Sequence, residues 1–219
     1  MVKLLITGFR HSGTTMTMQL IKSHPQVGWI HDEESYIEFD KPRDWVLMMA
    51  RKTVPNLKEY VWGEKIPWGI RDTDIKAQRA IQFSKKWLKY FRKQARIIQV
   101  LRHPLDVALS GGRSNVDNRT MKFLNDSLPR YIDFINSNKR CATIVYEDLV
   151  TQPEVYLPKI FQFLNINDNK KIVKRVINTP LKFGKINSSR AFAHKNKDLK
   201  IQVDYDKIIK SLKAKLGEI

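Results

Sequence analysis

The chain has 219 residues, 42% hydrophobic and 28% charged, a balance that suits one sizeable soluble domain over 1–219 and leaves no apolar run of the roughly eighteen residues that a membrane span needs. Lys and Arg number 40 against 22 Asp and Glu, and the net charge of +18 favours polyanions such as acidic polysaccharide, nucleic acid or multiply phosphorylated cofactors without choosing among them. The single cysteine, Cys141, excludes an internal disulfide and a cysteine-rich metal site, and with an apolar run starting at Val2 in place of a leader the expected compartment is the cytoplasm.

In chain order, residues 2–7 read as an apolar strand. The stretch that follows, Gly8-Phe9-Arg10-His11-Ser12-Gly13-Thr14-Thr15, opens an apolar-periodic helix over 14–23 that ends at His24-Pro25. Gly8 and Gly13 have the glycine spacing of a phosphate loop, where small residues let N–H groups close around an anion at a helix N-terminus. Position 14 is Thr where a loop for metal-bound triphosphate needs Lys, so the hydroxyls of Thr14 and Thr15 point to a terminal phosphate instead. Residues 27–30 form a short strand that runs into an acidic, turn-like cluster, His31-Asp32-Glu33-Glu34-Ser35. Helical character over 43–51 precedes a brief strand, 60–63, which delivers Glu64 and Lys65 and is expected to stop at Ile66-Pro67.

Two short helices, 75–83 and 85–93, lead to residues 97–101, the nearly unbroken apolar run of a parallel strand covered on both faces. Arg102 ends that strand. A helix over 104–110 follows, with Pro104 in its first turn, Asp106 near its positive end and Ser110 at its far end, before Gly111-Gly112 break it. A helix over 121–136, a strand over 141–145 running into Tyr146-Glu147-Asp148, an amphipathic helix over 153–164, a polar irregular stretch over 178–200 and a helix over 205–216 complete the chain. Strands alternating with helices, without hairpin signals, predict an α/β fold: a doubly wound, mostly parallel sheet flanked by helices, of the P-loop nucleotide-binding kind. Ligands of such sheets lie at the carboxyl ends of the strands. That edge gathers the 8–15 loop, residues 31–34, Lys65 and Arg102.

Arg102 and Ser110, at either end of a short helix, can hold a phosphate between a guanidinium and a hydroxyl, or pair locally with Asp106 and a helix end. Three segments taken in order carry a resemblance: Gly8 to Thr15, Arg102-His103-Pro104-Leu105-Asp106-Val107-Ala108-Leu109-Ser110, and Tyr146-Glu147-Asp148-Leu149-Val150 followed by Pro153. Together they resemble the sulfotransferases that use 3′-phosphoadenosine-5′-phosphosulfate (PAPS) and release the bisphosphate PAP. The resemblance implies PAPS as donor, a hydroxyl-bearing acceptor, which the basic surface allows to be anionic, and no metal. It implies that Ser12, Gly13, Thr14 and Thr15 cradle the phosphosulfate and that Arg102 and Ser110 hold the 3′-phosphate. It also implies that Gly184, Lys185, Ser188 and Arg190 close over the nucleotide.

Within that family, Ser23-His24-Pro25-Gln26-Val27 and Glu33-Glu34 are most similar to the tyrosylprotein and related glycan sulfotransferases, in which an acidic residue after the second strand takes the acceptor's proton. Glu34 is preferred to Glu33 for this role. The chemistry asks for such a carboxylate independently, because a hydroxyl must lose its proton as it attacks sulfur. His11 stands where the family has Lys or Arg, so Arg10 carries the loop's cation and His11 offers a donor that depends on its protonation. Glu64-Lys65-Ile66-Pro67 resembles a Lys-x-Pro element that sends a Lys to the transferring group, which makes Lys65 the principal cation. The expected activity is sulfonate transfer to a glycan or small hydroxylated metabolite ahead of protein tyrosine, with nucleic acid disfavoured by the sparse aromatic interleaving. Two other readings stay open: a degenerate P-loop small-molecule kinase, against which Thr14 argues, and a non-catalytic polyanion-binding module, which His11 favours.

Overall fold

A computed structural model describes residues 3–9, 11–32, 50–53, 56, 59–68, 95–103, 106–107, 140–182 and 186. The apolar runs form β1 (Lys3–Phe9), β2 (Val27–Asp32), β3 (Val61–Trp68), β4 (Ala95–Leu101) and β5 (Cys141–Val145). All neighbouring pairs are parallel, in the order β2-β3-β1-β4-β5. The parallel α/β sheet predicted from the alternation of strands and helices is therefore the fold. Described helices are α1 (Thr14–Lys22), α2 (Tyr146–Thr151), α3 (Pro153–Leu164) and α4 (Lys170–Ile177). Among the described residues no helix is long and apolar enough to cross a membrane.

Side chains alternate across a strand, and both faces of this sheet are buried. Leu4 and Ile6 of β1, Ile98 and Val100 of β4 and Ile144 of β5 share a core with Leu20 and Ile21 of α1 and with Leu157, Ile160, Phe161 and Leu164 of α3. Each such side chain contributes about 1.5–3 kcal/mol on burial. The opposite face buries Leu5, Thr7, Trp62, Glu64, Ile97 and Gln99 as completely. Val173 and Val176 anchor α4 to the first core, while Asn169 caps it by accepting the Ile172 N–H at 2.9 Å.

The strands are longer than their apolar runs. β2 continues through His31 and Asp32, which are extended and not turn-like, because both remain paired with β3. β3 passes through Pro67 where a stop was expected. Its pairing with β2 runs to Asp32↔Lys65, whereas its pairing with β1 runs to Phe9↔Trp68, so Pro67 lies beyond the paired stretch of β2, where a missing N–H costs little. Two helices were not foreseen, α2 and α4. The expected helices at 75–83, 85–93, 121–136 and 205–216 and the stretch 187–200 lie outside the described residues, as do most of 43–51 and 104–110; residues 50–53 and 106–107 are helical.

Candidate active site

β1 has β3 on one side and β4 on the other. The chain moves from β1 toward β2 and β3 on one side and only after β3 crosses to β4 on the other, and the crevice at this switch point lies over the carboxyl end of β1. The chain there turns through residues 11–13 into α1. Ser12 N–H donates to the Phe9 carbonyl at 2.9 Å, and His11 and Gly13 on either side are left-handed, with φ of 70° and 94°. Left-handed residues in such a turn swing successive N–H groups toward one side, which suits an anion. Gly13 is the N-cap of α1 and no acidic residue sits in the helix's first turn, so no side-chain carboxylate of α1 competes for its positive end.

Glycine is required at position 13 twice over. Besides its φ, a Cβ there would overlap the ring of Tyr146. Ser12 is fully buried and its Oγ has no hydrogen-bond partner among the described residues. A buried hydroxyl without a partner, inside a turn of this shape, fits an anion seated in the loop.

Two cations reach the loop, one from each strand beside β1. From β3, buried Lys65 donates from Nζ to Thr15 Oγ1 at 2.9 Å and lies 2.7 Å from Asp32 Oδ1 at the end of β2. From the end of β4, buried Arg102 donates from Nη1 to the His11 carbonyl at 3.0 Å, with its guanidinium 4.5 Å over the Tyr146 ring. The next residue of each segment is tied as well: His103 N–H donates to Glu147 Oε1 at 2.9 Å. Burial pushes the Glu147 carboxyl above its usual range, while the His103 N–H and the Arg102 charge pull it back.

His11, Ser12, Gly13, Thr14, Thr15, Lys65 and Arg102 thus come together at one strand edge. Arg10, Glu33, Glu34, Ser110, Gly184, Lys185, Ser188 and Arg190 lie outside the described residues. Glu64, which the sequence delivers beside Lys65, faces the other side of the sheet, as alternation requires. It is buried, and burial pushes its carboxyl up to about 8. Sequence reasoning missed Asp32, Tyr146 and Glu147. A strand over 27–32, read in register with β3, would have set Asp32 beside Lys65; Tyr146 and Glu147 open the third segment of the resemblance, but nothing in the sequence gave either a place in the site.

The model of the family described as the sulfotransferase domain matches residues 2–138. Among solved structures, the sulfotransferase domain of the olefin synthase of Synechococcus PCC 7002 is 16% identical and superposes with a TM-score of 0.61, over 96% of this chain and 93% of that one. The sulfotransferase domain from the curacin biosynthetic pathway is 14% identical, with a TM-score of 0.62 over 97% and 98%. A sulfotransferase from Mycobacterium tuberculosis H37Rv is 11% identical, with a TM-score of 0.50 over 83% and 72%. At these identities the likeness is one of fold. No match was found among curated proteins.

Proposed function

We propose, from the premise that the chain belongs to the family of sulfotransferase domains, that it transfers the sulfonate of PAPS to an acceptor hydroxyl. The observation that carries this reading is the double grip on one loop, Lys65 on Thr15 from β3 and Arg102 on the His11 carbonyl from β4. When bound, PAPS supplies an activated sulfonate on a phosphate leaving group. The loop N–H groups, the Ser12 hydroxyl and the hydroxyls of Thr14 and Thr15 hold the anionic end, and Arg102 with Ser110 holds the 3′-phosphate. Lys65 neutralises charge at the reacting end, as fixed cations do wherever charge spreads in a group transfer. Its bond to Thr15 supports this role, because it keeps the ammonium at the mouth of the loop.

Glu34, or Glu33 beside it, takes the proton of the attacking hydroxyl. Asp32, directly before them, orients Lys65 through their 2.7 Å ion pair. The acceptor is read as a glycan or other small hydroxylated metabolite ahead of protein tyrosine, and the net charge of +18 favours an anionic one. The test is incubation of the purified protein with radiolabelled PAPS, a generic phenol and a panel of hydroxylated glycans, with PAP release followed in parallel. Acceptor-dependent PAP release supports the reading. No release with any acceptor, together with no affinity for PAP, overturns it.

A further inference from the structure

The contacts around the loop close into a ring. Arg102 Nη1 holds the His11 carbonyl, His11 leads through Ser12 to Gly13, Gly13 lies against one side of the Tyr146 ring, and the centre of that ring lies 4.5 Å from the Arg102 guanidinium carbon. Tyr146 stands at the turn from β5 into α2 and is buried, so its ring is held from the core side too. Each link has a physical job. Seating a guanidinium over an aromatic face restrains its plane, and with it the directions of its N–H groups. His11 is left-handed although it carries a Cβ, a conformation that persists only where its surroundings hold it, and the Arg102 bond to its carbonyl is such a hold.

We propose that Tyr146 is a positioning residue that couples the two halves of the nucleotide site, so that the donor's 3′-phosphate governs the rate of transfer as well as donor affinity. This rests on the PAPS reading above. A phosphate on Arg102 steadies the guanidinium; the guanidinium steadies the His11 peptide and, through the Tyr146 ring, the Gly13 end of the loop. The ordering cost at the reacting end is then partly met before the transition state forms, which is the condition for positive coupling between two sites. Without the ring the two halves still bind their phosphates, but separately.

The experiment compares PAPS with adenosine 5′-phosphosulfate, which lacks the 3′-phosphate, using a phenolic acceptor and the wild-type, Tyr146→Phe and Tyr146→Leu proteins. The wild type is expected to turn over PAPS about tenfold faster in kcat, within the usual span of site-to-site coupling. Tyr146→Phe keeps the ring and should keep that ratio. Tyr146→Leu should bring the ratio toward one by losing kcat with PAPS alone. An unchanged ratio in Tyr146→Leu, or an equal fall with both donors, overturns the proposal. Should Tyr146→Leu fail to fold by circular dichroism, Arg102→Lys serves in its place: it keeps a charge for the 3′-phosphate but loses the planar stack, and a wild-type ratio there overturns the proposal too. If the wild type transfers from neither donor to any acceptor of the panel above and does not bind PAP, the donor reading itself falls and takes this inference with it, whereas an active wild type with an indifferent Tyr146 removes the inference alone.

Discussion

Arg102 has the most specific consequence of any single side chain here, because it is buried, stacked on Tyr146 and bonded to the loop. If Arg102 holds the 3′-phosphate as proposed, Arg102→Ala removes a charge-assisted contact that this phosphate alone receives, so PAP should lose about 1.5–3 kcal/mol of binding while adenosine 5′-monophosphate loses far less. Titration calorimetry with both ligands checks this, and equal weakening would refute the 3′-phosphate role. Lys65→Ala should leave PAP affinity nearly intact and lower kcat roughly 10²–10³-fold, the usual loss when one fixed charge at a reacting group is removed. The proton acceptor is separable from these cations. Glu34→Gln should lower kcat roughly 10²–10⁴-fold with PAPS affinity preserved, whereas Asp32→Asn, which only loosens Lys65, should cost much less. The reverse pattern in steady-state kinetics would move the base to Asp32.

Elements join this site to the rest of the molecule, and the turn from α1 into β2 illustrates how. His24 is buried there; its Nδ1 accepts the Gln26 N–H at 3.0 Å, so its Nε2–H donates to the Asn167 carbonyl at 2.7 Å. Asn167 N–H in turn donates to Gln26 Oε1 at 2.7 Å, which ties the α1–β2 turn to the connection between α3 and α4. Burial lowers the His24 pKa, partly offset by the Asn167 carbonyl. The folded chain therefore binds fewer protons at His24 than the unfolded one, and stability present above the ordinary imidazole value of about 6.5 is lost as pH falls through the lowered one. Urea denaturation at pH 7.5 and pH 5 should register this as a fall in the stability of the wild type relative to His24→Gln, a difference in which the other titrating groups cancel. The sequence marked His24-Pro25 as a helix end but could not show its partner, which lies far along the chain. Strand centres were legible from apolar runs, and β5 and α3 were legible to the residue. Strand ends were not: Asp32 and Pro67 look like turn residues, and their pairing is decided by which neighbour is present in the sheet. α4 was missed because half of its residues are the exposed Lys170, Lys171, Lys174 and Arg175, leaving only a narrow apolar stripe to signal a helix.

For the molecule as a whole, Glu64 acts in the opposite sense to His24. Its carboxyl is raised from 4.5 to about 8 by burial, and its Oε1 has no hydrogen-bond partner among the described residues. Here the folded chain binds more protons than the unfolded one, so stability falls as pH rises from about 4.5 to about 8. Glu64→Gln should abolish that fall and raise stability above pH 8 by on the order of a few kcal/mol, read from denaturant midpoints across the pH series. A variant no more stable than wild type at pH 8.5 would mean that the carboxylate is already accommodated. The strand order carries a consequence of another kind. β1 precedes the other strands of the sheet in the chain yet lies in its middle, and both of its neighbours, β3 and β4, begin only at Val61 and Ala95. Until the ribosome has released β3 this apolar strand has both edges open, and until it has released β4 one edge stays open and the left-handed loop after it lacks the arginine that holds it. Pairings so distant in sequence are slow to form. The nascent chain therefore carries a hazard of aggregation in the very segment proposed to bind the donor, and it lasts until both neighbouring strands have followed.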